Sequence, residues 1–204
     1  NGIDIQATTI SRQEGRAHLI AETGAPDDTF FILHVGHVYP RKGQLQALEA
    51  FHLMQQYEVK KPVHLVFLGN TERDKAYTLE LQTRIADKSL QGTVSVLGFR
   101  RDAIQLLAGA DLLLHTPSAD PHPRVVIESM SLGVPVVSFA VDGVVETVLD
   151  NVTGLLVPPR DIAATSRAVV RLVNGSEGVK FGLAAKEHVQ NNFLAEKTAA
   201  SVAQ

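Results

Sequence analysis

Residues 117 to 138 read PSADPHPRVVIESMSLGVPVVS, a Pro-rich polar loop running into an apolar helix and then a buried strand. Pro117, Pro121 and Pro123 stiffen the loop. Pro123 suits the first helical position, where a missing N–H costs nothing. Val126, Ile127, Met130 and Leu132 follow at helical spacing. Gly133 is placed to cap the helix and Pro135 stops it, so 134 to 137 reads as a short buried strand. A helix that starts in this way presents backbone N–H groups without partners at the positive end of its dipole. Such a site attracts anions, phosphate above all. Asp120 stands in the loop and Glu128 inside the helix.

The pattern extends in both directions. FFILHV at 30 to 35 and the runs at 63 to 68, 94 to 97, 111 to 115 and 154 to 157 are mostly apolar, without polar alternation. Helical spacing recurs at 44 to 56, 72 to 90, 102 to 109, 161 to 174, 177 to 190 and 194 to 203, with a shorter helix near 12 to 22 and a helical turn up to 149. Mostly apolar strands separated by helices predict an α/β fold, a Rossmann-like parallel sheet with helices on both faces. The simplest division is one domain over 1–204, with a lead-in at 1–28 and a helical tail at 177–204. Ligands of such sheets sit beyond the carboxyl ends of the strands. That gathers the loops at 36 to 43, 69 to 73, 98 to 102, 115 to 124 and 138 to 144.

Composition removes several classes of function. Of the 204 residues, 45% are hydrophobic and 20% charged, as in ordinary soluble domains. A formal net charge of -3 speaks against a nucleic-acid partner, and 5% aromatics without Trp leave no stacking platform for single strands. The absence of Cys excludes disulfides, a thiol nucleophile and Cys-ligated zinc. No apolar run approaches the roughly 20 residues of a membrane span, and the N-terminus does not read as a signal peptide. A cytoplasmic location is therefore expected, with membrane association only through a part of the protein that this chain lacks. The chain opens on Asn1-Gly2-Ile3-Asp4 without an initiator Met, and is expected to be a piece of something longer.

Three constellations could carry chemistry. Gly36-His37 ends a strand where backbone can approach a ligand, and Arg41-Lys42-Gly43 follows with a basic pair that could meet a diphosphate. Arg41 and Lys42 read equally as solvated loop charges. Neither a G-x-G-x-x-G nor a P-loop signature is present. In the 117 to 138 stretch, Asp120 or Glu128 would accept hydrogen bonds from sugar or ribose hydroxyls, while Arg124 is either a phosphate ligand or a plain surface residue. The turn Val141-Asp142-Gly143 could offer backbone N–H groups, or simply connect a strand to a helix. None of the eight His falls in a metal-binding spacing. His34 and His64 read as satisfied core residues. His37, His115 and His122 fall at strand ends and could converge, although a metal cluster there is not expected.

In order and spacing, these residues resemble a family. Asn1-Gly2-Ile3-Asp4, His34-Val35-Gly36-His37 through Lys42-Gly43, Phe67-Leu68-Gly69, Val94 to Arg100, Asp111 to Ser118, the pair Asp120 and Glu128, Gly133 to Val137, and Asn151 to Pro158 together resemble the C-terminal, donor-binding domain of GT-B retaining glycosyltransferases, family GT4 (glycosyl transferases group 1). The resemblance covers nearly the whole chain. It implies a nucleotide-sugar (NDP-sugar) donor, with UDP-sugar weakly preferred, no cofactor and no bound metal. The ribose would lie at Glu128 and the sugar at Asp120. The diphosphate would lie at Lys42, His37 and backbone N–H groups near His122, Arg124 and Val125, and the base against backbone from Gly98 to Arg100. It further implies a hexosyl group transferred with retention to a glycan or lipid acceptor, and an N-terminal acceptor domain supplied by the rest of the protein. The isolated chain is then expected to bind donor and transfer nothing.

The chain also departs from the family. His37 stands where Arg is usual, and cannot fork onto phosphate as Arg does. Asp120 is one methylene shorter than the usual Glu. His122-Pro123 replaces Phe-Gly, and Pro123 removes one N–H. The alternative reading is a non-catalytic nucleotide-sugar-binding or interaction module whose site has drifted. A related GT-B epimerase or phosphorylase is a third.

Overall fold

The apolar runs are strands and the periodic segments are helices. The computed structural model describes residues 11–193, so the Asn1-Gly2-Ile3-Asp4 opening and the helix expected at 194 to 203 lie outside the described residues. Among the described residues six strands form one sheet: β1 (Phe30–Val35), β2 (Val63–Leu68), β3 (Val94–Gly98), β4 (Leu112–His115), β5 (Val136–Phe139) and β6 (Gly154–Val157). Every pairing is parallel, in the order β3-β2-β1-β4-β5-β6. The order reverses between β1 and β4. This is the doubly wound arrangement in which loops on either side of the reversal diverge and leave a crevice.

The helices are α1 (Arg12–Thr23), α2 (Gln44–Met54), α3 (Lys75–Asp87), α4 (Ala103–Gly109), α5 (Arg124–Ser131), α6 (Val144–Thr147), α7 (Ile162–Asn174) and α8 (Glu177–Asn192), with a 3-10 turn at Pro40–Lys42. Side chains alternate across β1 and divide the core. Phe30 and Ile32 meet Phe51 of α2, Leu81 of α3 and Leu172 of α7 on one face. Phe31 and Leu33 meet Leu19 of α1, Leu106 of α4, Met130 of α5 and Val189 of α8 on the other. With both faces covered, β1, β2 and β4 bury nearly every residue, which is why those strands lack polar alternation.

Local signals set the ends. Ser11, Asp74 and Asp161 accept the Glu14, Tyr77 and Ala164 amides and cap α1, α3 and α7. The helix expected over 72 to 90 is trimmed to Lys75–Asp87 by the Asp74 cap and by Ser89 at φ 55. Pro123 is the cap residue before α5 rather than its first helical residue. Gly133 stands one position beyond the Leu132 cap, in the left-handed region at φ 74. The fifth strand starts at Val136, two residues later than expected, because the pairing with β4 begins at Leu113–Val136. The lead-in contributes α1, which packs on α4. Phe193, just after α8, is half-buried against the α5-side cluster.

Candidate functional site

Strand ends and tight loops assemble the site at the carboxyl edge of the sheet. β1 runs into Gly36 at φ 151, with Gly69 after β2 pressed against it. A Cβ on Gly69 would stand 1.9 Å from Gly36 O. The chain then folds through the 3-10 turn to Gly43, where a Cβ would stand 1.8 Å from Thr116 O. Glycine at both positions lets the loop after β1 lie directly on the loops after β2 and β4. His34 holds the same junction, its Nε2 donating to Lys42 O at 3.1 Å, while Thr116 Oγ1 donates to Gly43 O at 2.8 Å.

These contacts deliver Lys42 to Asp120 across the crevice. Lys42 Nζ donates to Asp120 Oδ2 at 2.9 Å, and His115 Nε2 meets the same oxygen at 3.1 Å. The Asp120 amide donates to Asp142 Oδ2 at 2.8 Å. Asp120 and His115 are buried, and Lys42 retains 17% exposure of its side chain. Burial alone would raise the Asp120 carboxyl; the hydrogen bonds from His115 and Lys42, with the charge of Lys42, outweigh it and hold that carboxyl well below its usual range. Burial lowers His115, so it meets Asp120 as a neutral N–H donor. Burial, with the neighbouring His115, lowers His34 to about 3. His34 is only half satisfied: its Nδ1 is buried without a partner, contrary to the sequence reading.

Glu128 sits in the second turn of α5, half-buried, with Arg124 Nη2 4.0 Å from Oε1. Burial raises its carboxyl, and the attraction of Arg124 offsets this only in part. Such a carboxylate is short of donors. At the start of α5, the Arg124 and Val126 amides already donate to His122 O (2.8 Å) and Pro123 O (3.0 Å). Among the described residues, the Val125 amide is the one of these three without an acceptor. The side chains of His37, His122 and Arg124 are exposed at the rim.

Other expected residues lie further apart. Arg100 turns its guanidinium away, onto Asp102 (2.9 Å at both oxygens) and Glu22 (2.6 Å). What its loop offers a ligand is backbone around Gly98, at φ 68, beside a Phe99 that is 70% exposed. His115 is buried at the end of β4, while His37 and His122 are exposed. Among the described residues no group of three or more His, Cys, Asp or Glu is arranged to hold a metal. Sequence reading missed two members of the site, the His115 donor and the Asp142 carboxylate. In sequence His115 reads only as a candidate for a metal cluster, and the turn containing Asp142 only as a source of amides. The one available signal is position, since His115 ends β4 and Asp142 lies in the loop after β5.

The family described as glycosyl transferases group 1 matches residues 16–188. The amylovoran biosynthesis glycosyltransferase AmsK of Erwinia amylovora is 30% identical over 171 residues, covering 79% of this chain and 40% of that protein. An Escherichia coli UDP-Gal:alpha-D-GlcNAc-diphosphoundecaprenol alpha-1,3-galactosyltransferase is 23% identical, covering 85% of this chain and 44% of its own length. The Anabaena protein Alr3699/HepE, solved in complex with UDP and glucose, superposes with a TM-score of 0.88 at 26% identity, over 100% of this chain and 54% of that one. The chain thus spans well under two thirds of these relatives. Among the described residues no helix is long and apolar enough to cross a membrane.

Proposed function

The chain belongs to the glycosyl transferases group 1 family, and from that premise we propose that it is the donor-binding half of a retaining, GT4-type hexosyltransferase that takes its sugar from a nucleoside diphosphate. The observation that carries this reading is the Lys42–Asp120–His115 cluster at the strand reversal. A cation and a carboxylate held ionised at neutral pH stand together where doubly wound sheets bind ligands. In this reading the diphosphate lies over the Gly36 turn, and Lys42, His37 and the Val125 amide face its oxygens. These groups stabilise the charge that develops as the diphosphate leaves, in place of a resident metal.

Glu128 receives the ribose hydroxyls. Its half-buried carboxylate lacks donors, and hydroxyls supply them. Asp120 accepts from a sugar hydroxyl. The acceptor, a glycan or a lipid, approaches from an N-terminal domain in the rest of the protein, on the cytoplasmic side of a membrane. UDP is the preferred carrier, supported by the Anabaena neighbour solved with UDP and glucose.

Calorimetric titration with UDP-, GDP- and ADP-sugars tests the proposal. One of them is expected to bind below millimolar concentration. Glu128→Ala is expected to weaken it at least tenfold, as loss of hydrogen bonds to a charged group costs about 1.5–3 kcal/mol. If none binds below millimolar, the site has drifted and the chain is an interaction module.

A further inference from the structure

We infer that Asp142 is a positioning residue for Asp120, and that through it the site distinguishes a sugar-bearing nucleotide from a bare one. The inference rests on the donor-binding reading of the site. Asp120 is fixed at both ends of the residue. Its carboxylate is held from two sides by Lys42 and His115, and its backbone amide donates to Asp142 Oδ2 at 2.8 Å, across 22 positions of sequence. The Asp142 carboxylate therefore sets the backbone from which the Asp120 side chain departs. It belongs to the loop after β5, the strand that pairs with β4 and whose loop runs beside the one carrying Asp120.

Two further features indicate that Asp142 is held for this contact. It is a non-glycine residue at φ 35, a conformation that most side chains avoid. The next residue, Gly143, lies so close to the neighbouring loop that a Cβ would stand 2.4 Å from Pro121 O. Thr147 Oγ1 donates to Gly143 O at 2.7 Å and fixes the far side of the turn. The turn is clamped onto the 120 to 123 segment, and the Asp142 side chain is its polar link to the Asp120 amide. A turn whose only task was to join β5 to α6 would be relaxed by glycine at 142. Asparagine keeps an oxygen acceptor in the same place, whereas glycine removes the acceptor and also the need for a side chain at positive φ.

The test compares UDP with UDP-glucose, UDP-galactose and UDP-N-acetylglucosamine by calorimetry on the full 204-residue chain, taking the sugar that binds most tightly. The readout is the ratio of its affinity to that of UDP, alongside thermal unfolding. Asp142→Gly is expected to unfold at the same temperature or higher and to bind UDP within about twofold of the unaltered chain. It is expected to lose about five- to tenfold of the sugar-dependent gain, within the range of one hydrogen bond's net effect. Asp142→Asn is expected to keep that gain. An Asp142→Gly chain that retains the full sugar-dependent gain overturns the inference while leaving nucleotide-sugar binding intact. An unaltered chain that binds UDP and every UDP-sugar equally overturns it too, since Asp120 then engages no sugar. An unaltered chain that binds none of the four removes the donor-binding reading and the inference with it.

Discussion

Asp120 receives two hydrogen bonds on one oxygen, and this makes the site pH-sensitive in a definite direction. Its carboxyl lies below the usual 3.8 in the fold because the hydrogen bonds from Lys42 and His115 and the charge of Lys42 outweigh its burial. A depressed carboxyl contributes stability that is complete above its unfolded value and is lost as pH falls below it. At pH 7, Asp120→Asn should therefore cost about 2 to 3 kcal/mol, somewhat less than a fully buried pair, because Lys42 keeps some exposure. The gap between the two proteins should narrow as pH is lowered from 5 to 3. Urea unfolding across that range measures it, and a gap that stays constant down to pH 3 would contradict the pairing. Asp120, Lys42 and Glu128 were visible as candidates in the sequence because the family's spacing marks them. His115 and Asp142 were not. His115 ends an apolar run and resembles any core residue, and Asp142 touches position 120 only because β4 and β5 are neighbours. Sequence spacing cannot express that adjacency before the strand order is known.

At the scale of elements, the sign of a glycine substitution is set by the neighbouring backbone. Gly15 lies within α1, and at such positions Gly→Ala ordinarily gains up to about 1 kcal/mol through helix propensity. Here α1 crosses α4 at Gly15 and Gly109, and a Cβ on Gly15 would stand 2.1 Å from Gln105 O and 2.8 Å from the Gly109 amide. Backbone cannot move aside as a side-chain tip can, so overpacking wins and Gly15→Ala should destabilise by about 1–3 kcal/mol. Gly178, in the first turn of α8, has only Pro135 Cγ at 3.7 Å; Gly178→Ala should be neutral or stabilising. Thermal unfolding of the two variants side by side separates the effects, and equal behaviour would refute the close crossing. The strands and helices themselves were readable from apolar runs and helical periodicity. Their ends were less so, because β5 starts where β4 offers it partners and α3 starts where the Asp74 side chain caps it. The close crossing of α1 on α4 was hidden altogether, since a glycine that admits another backbone looks in sequence like any other.

For the whole molecule, the question is what a chain covering 40% of the AmsK relative can do by itself. Its sheet carries α2, α3 and α7 on one face and α1, α4, α5 and α8 on the other, and a core cluster packs each face. The proposed donor groups come from the loops after β1 and β4 and from α5, all on this same sheet, so in this reading nucleotide binding requires no second domain. A ligand that binds only the folded state at 100 times its dissociation constant adds about 2.7 kcal/mol. For a domain of this length, each kcal/mol moves the melting temperature by about 2–4 °C. Saturating UDP or its preferred sugar conjugate should therefore raise the midpoint by about 5–10 °C, and Lys42→Ala should remove most of that rise. Sugar transfer is a separate matter, because it requires an acceptor held against the exposed side of the same crevice. The chain should accordingly show the thermal shift while transferring no labelled sugar to glycan or lipid acceptors. Measured transfer by the 204 residues alone would mean that this sheet carries an acceptor site of its own. A missing thermal shift would mean instead that the Lys42–Asp120 pair does not open to a diphosphate.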